Sequence, residues 1–160
     1  MTGNRRILDA VTEQPDLVAL ARSIVESNQF MTLGTADEEG VPWVSPVWYA
    51  STDARAFYWV SKPDARHSRN LVSRPQVAIV IFDSHRTGGW NGLYMSAQAE
   101  EQVDVNEGIE IFSRRSQEKG FPAWTAENVR APARHRLYRA TAHEHFVLDP
   151  HDQRLPVNLG

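Results

Sequence analysis

The spacing of apolar residues just after position 16 is that of an amphipathic helix. Five apolar residues recur there at intervals of three and four and therefore share one helix face: Leu17, Leu20, Ala21, Ile24 and Val25. The segment Gln14-Pro15-Asp16 carries helix-start signals, so the pattern predicts a helix that ends near Asn28. Residues 1–13 are polar and are expected to be loosely held.

From residue 30 the pattern changes to alternating or continuous apolar segments of strand length. Six strands are predicted, over 30–36, 41–49, 56–60, 77–82, 93–103 and 137–148. The turn at 37–40 makes the first two a hairpin, and a helix is predicted over 106–119, ended by Gly120. A further short helix follows the third strand and stops at Arg74-Pro75. This order predicts a mainly β (α+β) protein with an antiparallel sheet or barrel and helices at its edges.

Composition narrows the class of protein without naming a function. The 160 residues fit a single domain, 1–160, with 41% hydrophobic and 23% charged residues. The net charge of −3 does not favour a nucleic-acid partner, and the absence of cysteine excludes disulfides and thiol chemistry. No apolar stretch approaches 18 residues and no signal peptide is evident, so no membrane partner and a cytoplasmic location are expected.

The segment "FYWVSKPDARHSRNL", residues 57–71, places basic groups at a strand-to-helix corner of this acidic chain. Ser61 and Asp64 have the spacing of a capping box, which predicts that a helix begins at Lys62 or Pro63. The amino end of a helix attracts anions.

Arg66, Arg69 and Asn70 are three and four positions apart and therefore share one face of that short helix. One interpretation is a phosphate socket, in which an arginine fork and the Ser61 hydroxyl bind phosphate oxygens. The other is an ordinary capped surface helix with solvated basic side chains. The residues alone leave both open.

Pro46 interrupts the otherwise regular strand "WVSPVWY", residues 43–49. Proline cannot donate to a strand ladder, so it predicts an edge strand or a bulge. A flat ligand lying along this backbone is a second explanation.

The ordered set of segments from 28 to 104 resembles the pyridoxamine 5′-phosphate oxidase-like, FMN-binding split barrels. The resemblance lies in "DEEGVP", "VSPVWY", "FYWVS", the short basic helix, "NLVSRPQVAIVIF" and "GLYMSAQAEEQV". It implies a six-stranded antiparallel split β-barrel with flanking helices, and a homodimer with FMN at the subunit interface. It also implies an oxidoreductase acting on a small molecule.

Carried over by position, the resemblance implies a set of cofactor-binding residues on two strands, the corner and one loop. The ring would lie beside Val44, Ser45, Pro46 and Val47 and the strand end Trp59, Val60 and Ser61. The phosphate would lie near Arg66 and His67, with Lys62 in the loop leading to them and Asn70 on the same helix. Asn91 or Gly92 matches a partner-strand position.

Three departures set this chain apart from the vitamin B6 oxidase itself. Trp43 stands where those enzymes have arginine, and His67 stands where they have lysine. The segment "HEHFVLDPHDQRLPVNLG", residues 143–160, does not match their substrate-binding end. The cofactor therefore carries over better than the substrate, and no catalytic residue is assigned.

Two further groups of residues bear on metal and substrate binding. His143 and His145 face the same side of a strand, but no ligand spacing accompanies them, so no metal is expected. Trp90 and Trp124 lie in loops and are predicted to line a substrate pocket. Two alternatives to FMN stay open: a deazaflavin-coenzyme reductase of the same fold, and a flavin- or haem-binding protein without turnover.

Overall fold

The computed structural model describes residues 16–85 and 92–159, and within them an antiparallel sheet carries three helices. The helices are α1 (Leu17–Ser27), α2 (Arg66–Ser73) and α3 (Asn106–Glu118). The strands are β1 (Phe30–Ala36), β2 (Pro42–Trp48), β3 (Ala50–Ser51), β4 (Ala56–Ser61), β5 (Gln76–Phe82), β6 (Gly92–Glu101), β7 (Arg136–Leu148) and β8 (Arg154–Pro156). The mainly β class, its six predicted strands and the split barrel are confirmed. The short strands β3 and β8 are additional.

The strand order fixes which elements meet. It is β2-β1-β5-β6-β7-β4-β3, with β8 paired to β7, so β2 forms one edge of the sheet. Pro46, opposite Thr32 of β1, is therefore in an edge strand, as its missing N–H requires. The sheet curls until β2 approaches β4 near its other end, and we call this junction the seam.

Two apolar clusters lie on opposite sides of the curled sheet. The barrel interior is filled by side chains that alternate inward along the strands, including Met31, Leu33, Phe57, Trp59, Ile79, Ile81 and Leu93. A second cluster packs beneath α3 and includes Tyr58, Val105, Ile109, Phe112 and Leu137. Gly108 permits this packing, since a Cβ there would lie 2.7 Å from Cε1 of Tyr58.

Helices α1 and α3 begin and end near their predicted bounds. The Asp16 carboxylate accepts hydrogen bonds from the backbone N–H groups of Val18 and Ala19, which satisfies the first turn of α1. Gly120 follows α3 with a φ of +79°, the left-handed conformation that glycine adopts readily.

The predicted start of α2 is wrong. Lys62 to Ala65 form a turn closed by the Ala65 N–H and the Lys62 carbonyl at 3.1 Å, and the helix begins only at Arg66. Its cap, Ala65, makes no side-chain capping bond, so Ser61 and Asp64 form no capping box. Pro63 lies in this turn rather than in the helix, and the hydroxyl of Ser61 is left for another partner.

Candidate functional site

His67, in the first turn of α2, joins the two sides of the seam. Its Nε2 lies 2.8 Å from Oγ of Ser61 at the end of β4, and its Nδ1 lies 3.2 Å from Oγ of Ser45 on β2. The imidazole is half-buried, and this burial lowers its pKa below the ordinary value of 6.5. Two predicted residues from distant parts of the sheet are thus brought to one histidine. We call Ser45, Ser61, Arg66 and His67 the socket.

Arg66 lies beside this histidine and is held from below by the β1–β2 hairpin. Its guanidinium carbon is 4.6 Å from the centre of the Trp43 ring, a cation–π distance. Its Nη2 is 3.8 Å from a carboxylate oxygen of Asp37. The side chain remains 39% exposed, so its outer donors can reach a ligand.

The other predicted helix residues lie at different depths. Asn70 is buried and donates from Nδ2 to Oγ1 of Thr35 at 2.9 Å, which ties α2 to β1. Arg69 is exposed and donates to the Asp64 carbonyl of the preceding turn. Arg66, Arg69 and Asn70 are therefore not gathered as three equivalent donors. Lys62 is half-exposed in the turn.

The predicted ring-binding strands present two different faces. Val44 and Pro46 point outward from β2 and are exposed, whereas Ser45 and Val47 point into the barrel. Trp59 is fully buried and stacks on Tyr138 with ring centres 5.6 Å apart, so its side chain offers no surface to a ligand.

Val60 faces the other way from Trp59 and lines a cavity of about 370 Å³. The cavity lies between β2, β4, α3 and the loop after α3, and it is lined by Trp48, Val60, Phe112, Ser116, Phe121, Pro122, Trp124 and His135. We call it the aromatic pocket. It contains Trp124, the predicted pocket residue, together with Val60 of the predicted cofactor set.

A larger cleft, of about 510 Å³, opens beside β7 and β8 and contains Arg55, His143 and His145. None of the predicted cofactor or pocket residues lines it. Nε2 of His145 is 2.9 Å from the Ala54 carbonyl in a buried position, which is a structural contact. The described residues contain no group of three or more histidine or acidic side chains placed to hold a metal ion.

Trp90 and Asn91 lie outside the described residues, and Gly92 begins β6. Sequence reasoning missed the role of Trp43 beneath Arg66 and of Phe112, Phe121 and His135 in the aromatic pocket. Of these residues, Phe112 carried a usable signal, because it lies on the apolar face of α3. No helix of the described segments is both long and apolar enough to cross a membrane.

Comparison with known proteins identifies the relatives of this chain. The family model described as pyridoxamine 5′-phosphate oxidase matches residues 17–148. A pyridoxine/pyridoxamine 5′-phosphate oxidase of Bordetella petrii is 28% identical over 122 residues, covering 74% of this chain and 54% of the relative. The chain thus spans about half the length of the curated relatives it matches.

Solved structures share the fold at low sequence identity. A heme-binding protein from Mycobacterium smegmatis matches with a TM-score of 0.70 and 20% identity, over 91% of this chain and 59% of that one. A Listeria innocua protein described as a putative pyridoxamine 5′-phosphate oxidase has a TM-score of 0.64 and 16% identity, over 83% and 98%. An F420 reductase has a TM-score of 0.59 and 16% identity, over 78% and 94%.

Proposed function

Because the chain belongs to the pyridoxamine 5′-phosphate oxidase family, we propose that it is an FMN-dependent oxidoreductase acting on a small molecule, with the FMN phosphate bound in the socket. The observation that carries this proposal is the position of His67, which contacts hydroxyls from both sides of the seam with Arg66 beside it. Two hydroxyls, an imidazole and a guanidinium that meet at one place are suited to bind an anion.

The donor chemistry of the socket fits a phosphate group. A protonated His67 donates from both ring nitrogens, so it would direct one N–H to Oγ of Ser45 and the other to Oγ of Ser61. Each hydroxyl then has its own proton free for a phosphate oxygen. Arg66 adds a guanidinium whose planar donors suit phosphate.

The surfaces next to the socket suit a flat ring system. Val44 is 59% exposed, and Val44 and Pro46 offer an apolar strip along the edge strand. FMN, when bound, supplies the hydride or electron transfer. The chain's own contributions are to hold the phosphate, to keep α2 in place through Asn70 and Thr35, and to shape access through the aromatic pocket.

The vitamin B6 oxidase reaction is not part of the proposal. Trp43 replaces a family arginine, and its ring lies beneath Arg66 rather than offering a charge of its own. The substrate is therefore expected to differ from that of the curated relatives.

We include a homodimer in the proposed function, since the family resemblance assigns the cofactor to a subunit interface. The outward face of β2, β1 and β5 supports it with exposed apolar side chains, among them Phe30, Val44 and Phe82. In the dimer, Gly92 of the second copy, at the start of β6, would approach the cofactor.

A deazaflavin coenzyme is the second candidate cofactor. Its longer acidic tail would need cations beyond the socket. Lys62 begins the turn that precedes α2, and Arg69 of α2 lies against that turn through its hydrogen bond to the Asp64 carbonyl. Haem binding without turnover is the remaining alternative, because fold neighbours with that description exist.

The absorbance spectrum of the purified protein tests the cofactor directly. Bands of oxidised flavin that are released as FMN on denaturation support the proposal. A deazaflavin spectrum or a haem Soret band would replace it. Protein purified without pigment is then titrated with FMN, and failure to bind would overturn the proposed function.

A further inference from the structure

Hydrogen bonds to helix α3 hold the loop that covers the aromatic pocket. Two serines on successive turns of α3 fasten the loop that covers it: Oγ of Ser116 donates to the Pro122 carbonyl at 2.8 Å, and the Trp124 N–H donates to Oγ of Ser113 at 2.8 Å. The Phe121 N–H also reaches the Ser116 carbonyl at 3.0 Å. The loop is therefore held at both of its aromatic residues.

The rings around the pocket meet edge to face. Trp48 lies against Phe112 with centres 4.9 Å apart, Phe112 against Trp124 at 5.7 Å, and Trp124 against His135 at 5.7 Å, all with planes near-perpendicular. Perpendicular rings offer both ring faces and ring edges to a bound aromatic ligand. Such a ligand can therefore adopt the stacked and edge-to-face arrangements that aromatic pairs prefer. The volume of about 370 Å³ is in the range of small-molecule sites, roughly 300–1,000 Å³.

Among the described residues that line this pocket there is no lysine or arginine. Two neighbouring arginines have other partners: Arg115 donates to the Glu26 carbonyl at 2.8 Å, and Arg136 lies 3.5 Å from a carboxylate oxygen of Glu101. The other neighbouring cations are exposed and are not lining residues: Arg114, Lys119 and Arg134. A phosphate or carboxylate buried here would lack a counter-charge, which is costly.

Among the described lining residues, His135 is the side chain with a free group that can both donate to and accept from a ligand. The hydroxyl of Ser116 already donates to a backbone carbonyl. The indole N–H groups of Trp48 and Trp124 can only donate, and Nε1 of Trp48 is buried away from solvent. The imidazole of His135 is half-buried and packs on Trp124, and among the described residues its ring nitrogens have no hydrogen-bond partner.

We propose that the aromatic pocket binds a flat, uncharged aromatic ring bearing one polar substituent that hydrogen-bonds to His135. The interpretation of this pocket as a substrate site rests on the proposed function, because Val60 lines the pocket and also belongs to the strand assigned to the cofactor. The binding itself depends only on the pocket. The substrate class is then an uncharged aromatic compound, not a phosphorylated one.

Equilibrium dialysis with three matched probes tests this inference: 2-naphthol, naphthalene and 2-naphthyl phosphate. The protein is saturated with FMN, or carries Arg66→Ala if FMN does not bind, so that the socket cannot capture the phosphate. We expect 2-naphthol to bind at least 10-fold more tightly than 2-naphthyl phosphate and about 3- to 10-fold more tightly than naphthalene. Trp124→Ala should weaken 2-naphthol by at least 10-fold.

His135→Phe isolates the hydrogen bond while keeping a ring against Trp124. This variant should bind 2-naphthol and naphthalene equally, whereas the same substitution at the exposed His143, outside the pocket, should preserve the difference. Circular dichroism confirms that each variant is folded. Tighter binding of the phosphate, or binding of 2-naphthol that Trp124→Ala leaves unchanged, would overturn the inference. Loss of FMN binding with the probe preferences intact would instead reject only the proposed function.

Discussion

The guanidinium carbon of Arg66 lies 4.6 Å from the centre of the Trp43 indole ring, so a residue of β2 supports the arginine of the socket. Trp43→Leu removes the ring while keeping an apolar side chain. Because an exposed cation–π contact contributes about 0.5–1 kcal/mol, FMN affinity should fall by about 2- to 5-fold.

Calorimetric titration with FMN and with riboflavin checks this expectation. Riboflavin has no phosphate, so its affinity should be unaffected by Trp43→Leu, and Trp43→Phe should retain part of the FMN affinity. An equal loss for both ligands would show that Trp43 acts on the ring site and does not position Arg66.

The affinity for FMN should depend on pH through His67. Burial lowers the pKa of the free imidazole, and a bound phosphate favours its protonated form and so raises that pKa. Affinity is therefore greatest below the free-state pKa and declines as pH rises toward the pKa of the complex.

The second ionisation of phosphate works in the opposite direction, because it adds negative charge as pH rises. His67→Lys keeps a positive charge throughout this pH range, so the pH dependence of its affinity reports the phosphate ionisation alone. Titrations from pH 5 to pH 8 should show that affinity declines with pH more in the wild type than in His67→Lys. Parallel pH profiles would exclude His67 as a phosphate partner.

The proposed dimer predicts a mass twice that of the 18.1 kDa chain. Obligate dimers bury more than about 2,000 Å² in total, which a sheet face with exposed Phe30, Val44 and Phe82 is suited to supply. Light scattering at micromolar concentration should give the dimer, and Val44→Lys should dissociate it by placing a charge on that face. If the wild-type protein were monomeric, the proposal that FMN binds at a subunit interface would be contradicted.

Acid should destabilise the fold through His145. This histidine is buried and its folded-state pKa is lowered, chiefly by desolvation. The unfolded chain binds its proton first, so stability is complete above the ordinary value of 6.5 and is lost as pH falls toward the folded-state pKa. One such group changes stability by up to about 1.4 kcal/mol per pH unit.

His145→Gln keeps a donor for the Ala54 carbonyl and cannot titrate in this range. Urea unfolding between pH 7 and pH 5 should therefore show a smaller loss of stability for His145→Gln than for the wild type, and the control variant His151→Gln, at an exposed position, should behave as the wild type. If the free energy of unfolding of His145→Gln fell with pH as steeply as that of the wild type, protonation of His145 would not contribute to the acid destabilisation.

Local patterning was sufficient to predict the main elements. Alternation along 30–36 and the apolar run near 77–82 predicted β1 and β5, because a period of two and a short apolar run are set by neighbours in sequence. The alternation of Leu155, Val157 and Leu159 could have predicted that Val157 and Leu159 are buried. The polar residues around them made that segment resemble an exposed tail.

The start of α2 could not be predicted from the same local signals. Ser61 and Asp64 carry the letters of a capping box, yet a turn at 62–65 delays the helix and gives the Ser61 hydroxyl to His67. The other ring nitrogen of His67 contacts Ser45, a residue of another strand that only the closure of the sheet brings near. Contacts of this kind are set by tertiary structure.

The measurement that tests the central claim most directly is the titration of wild-type and Arg66→Ala protein with FMN and riboflavin. A hydrogen bond to a charged group contributes about 1.5–3 kcal/mol, so Arg66→Ala should weaken FMN by about 10- to 150-fold and leave riboflavin nearly unchanged. Equal losses for the two ligands, or no FMN binding by the wild type, would contradict a phosphate socket at the seam.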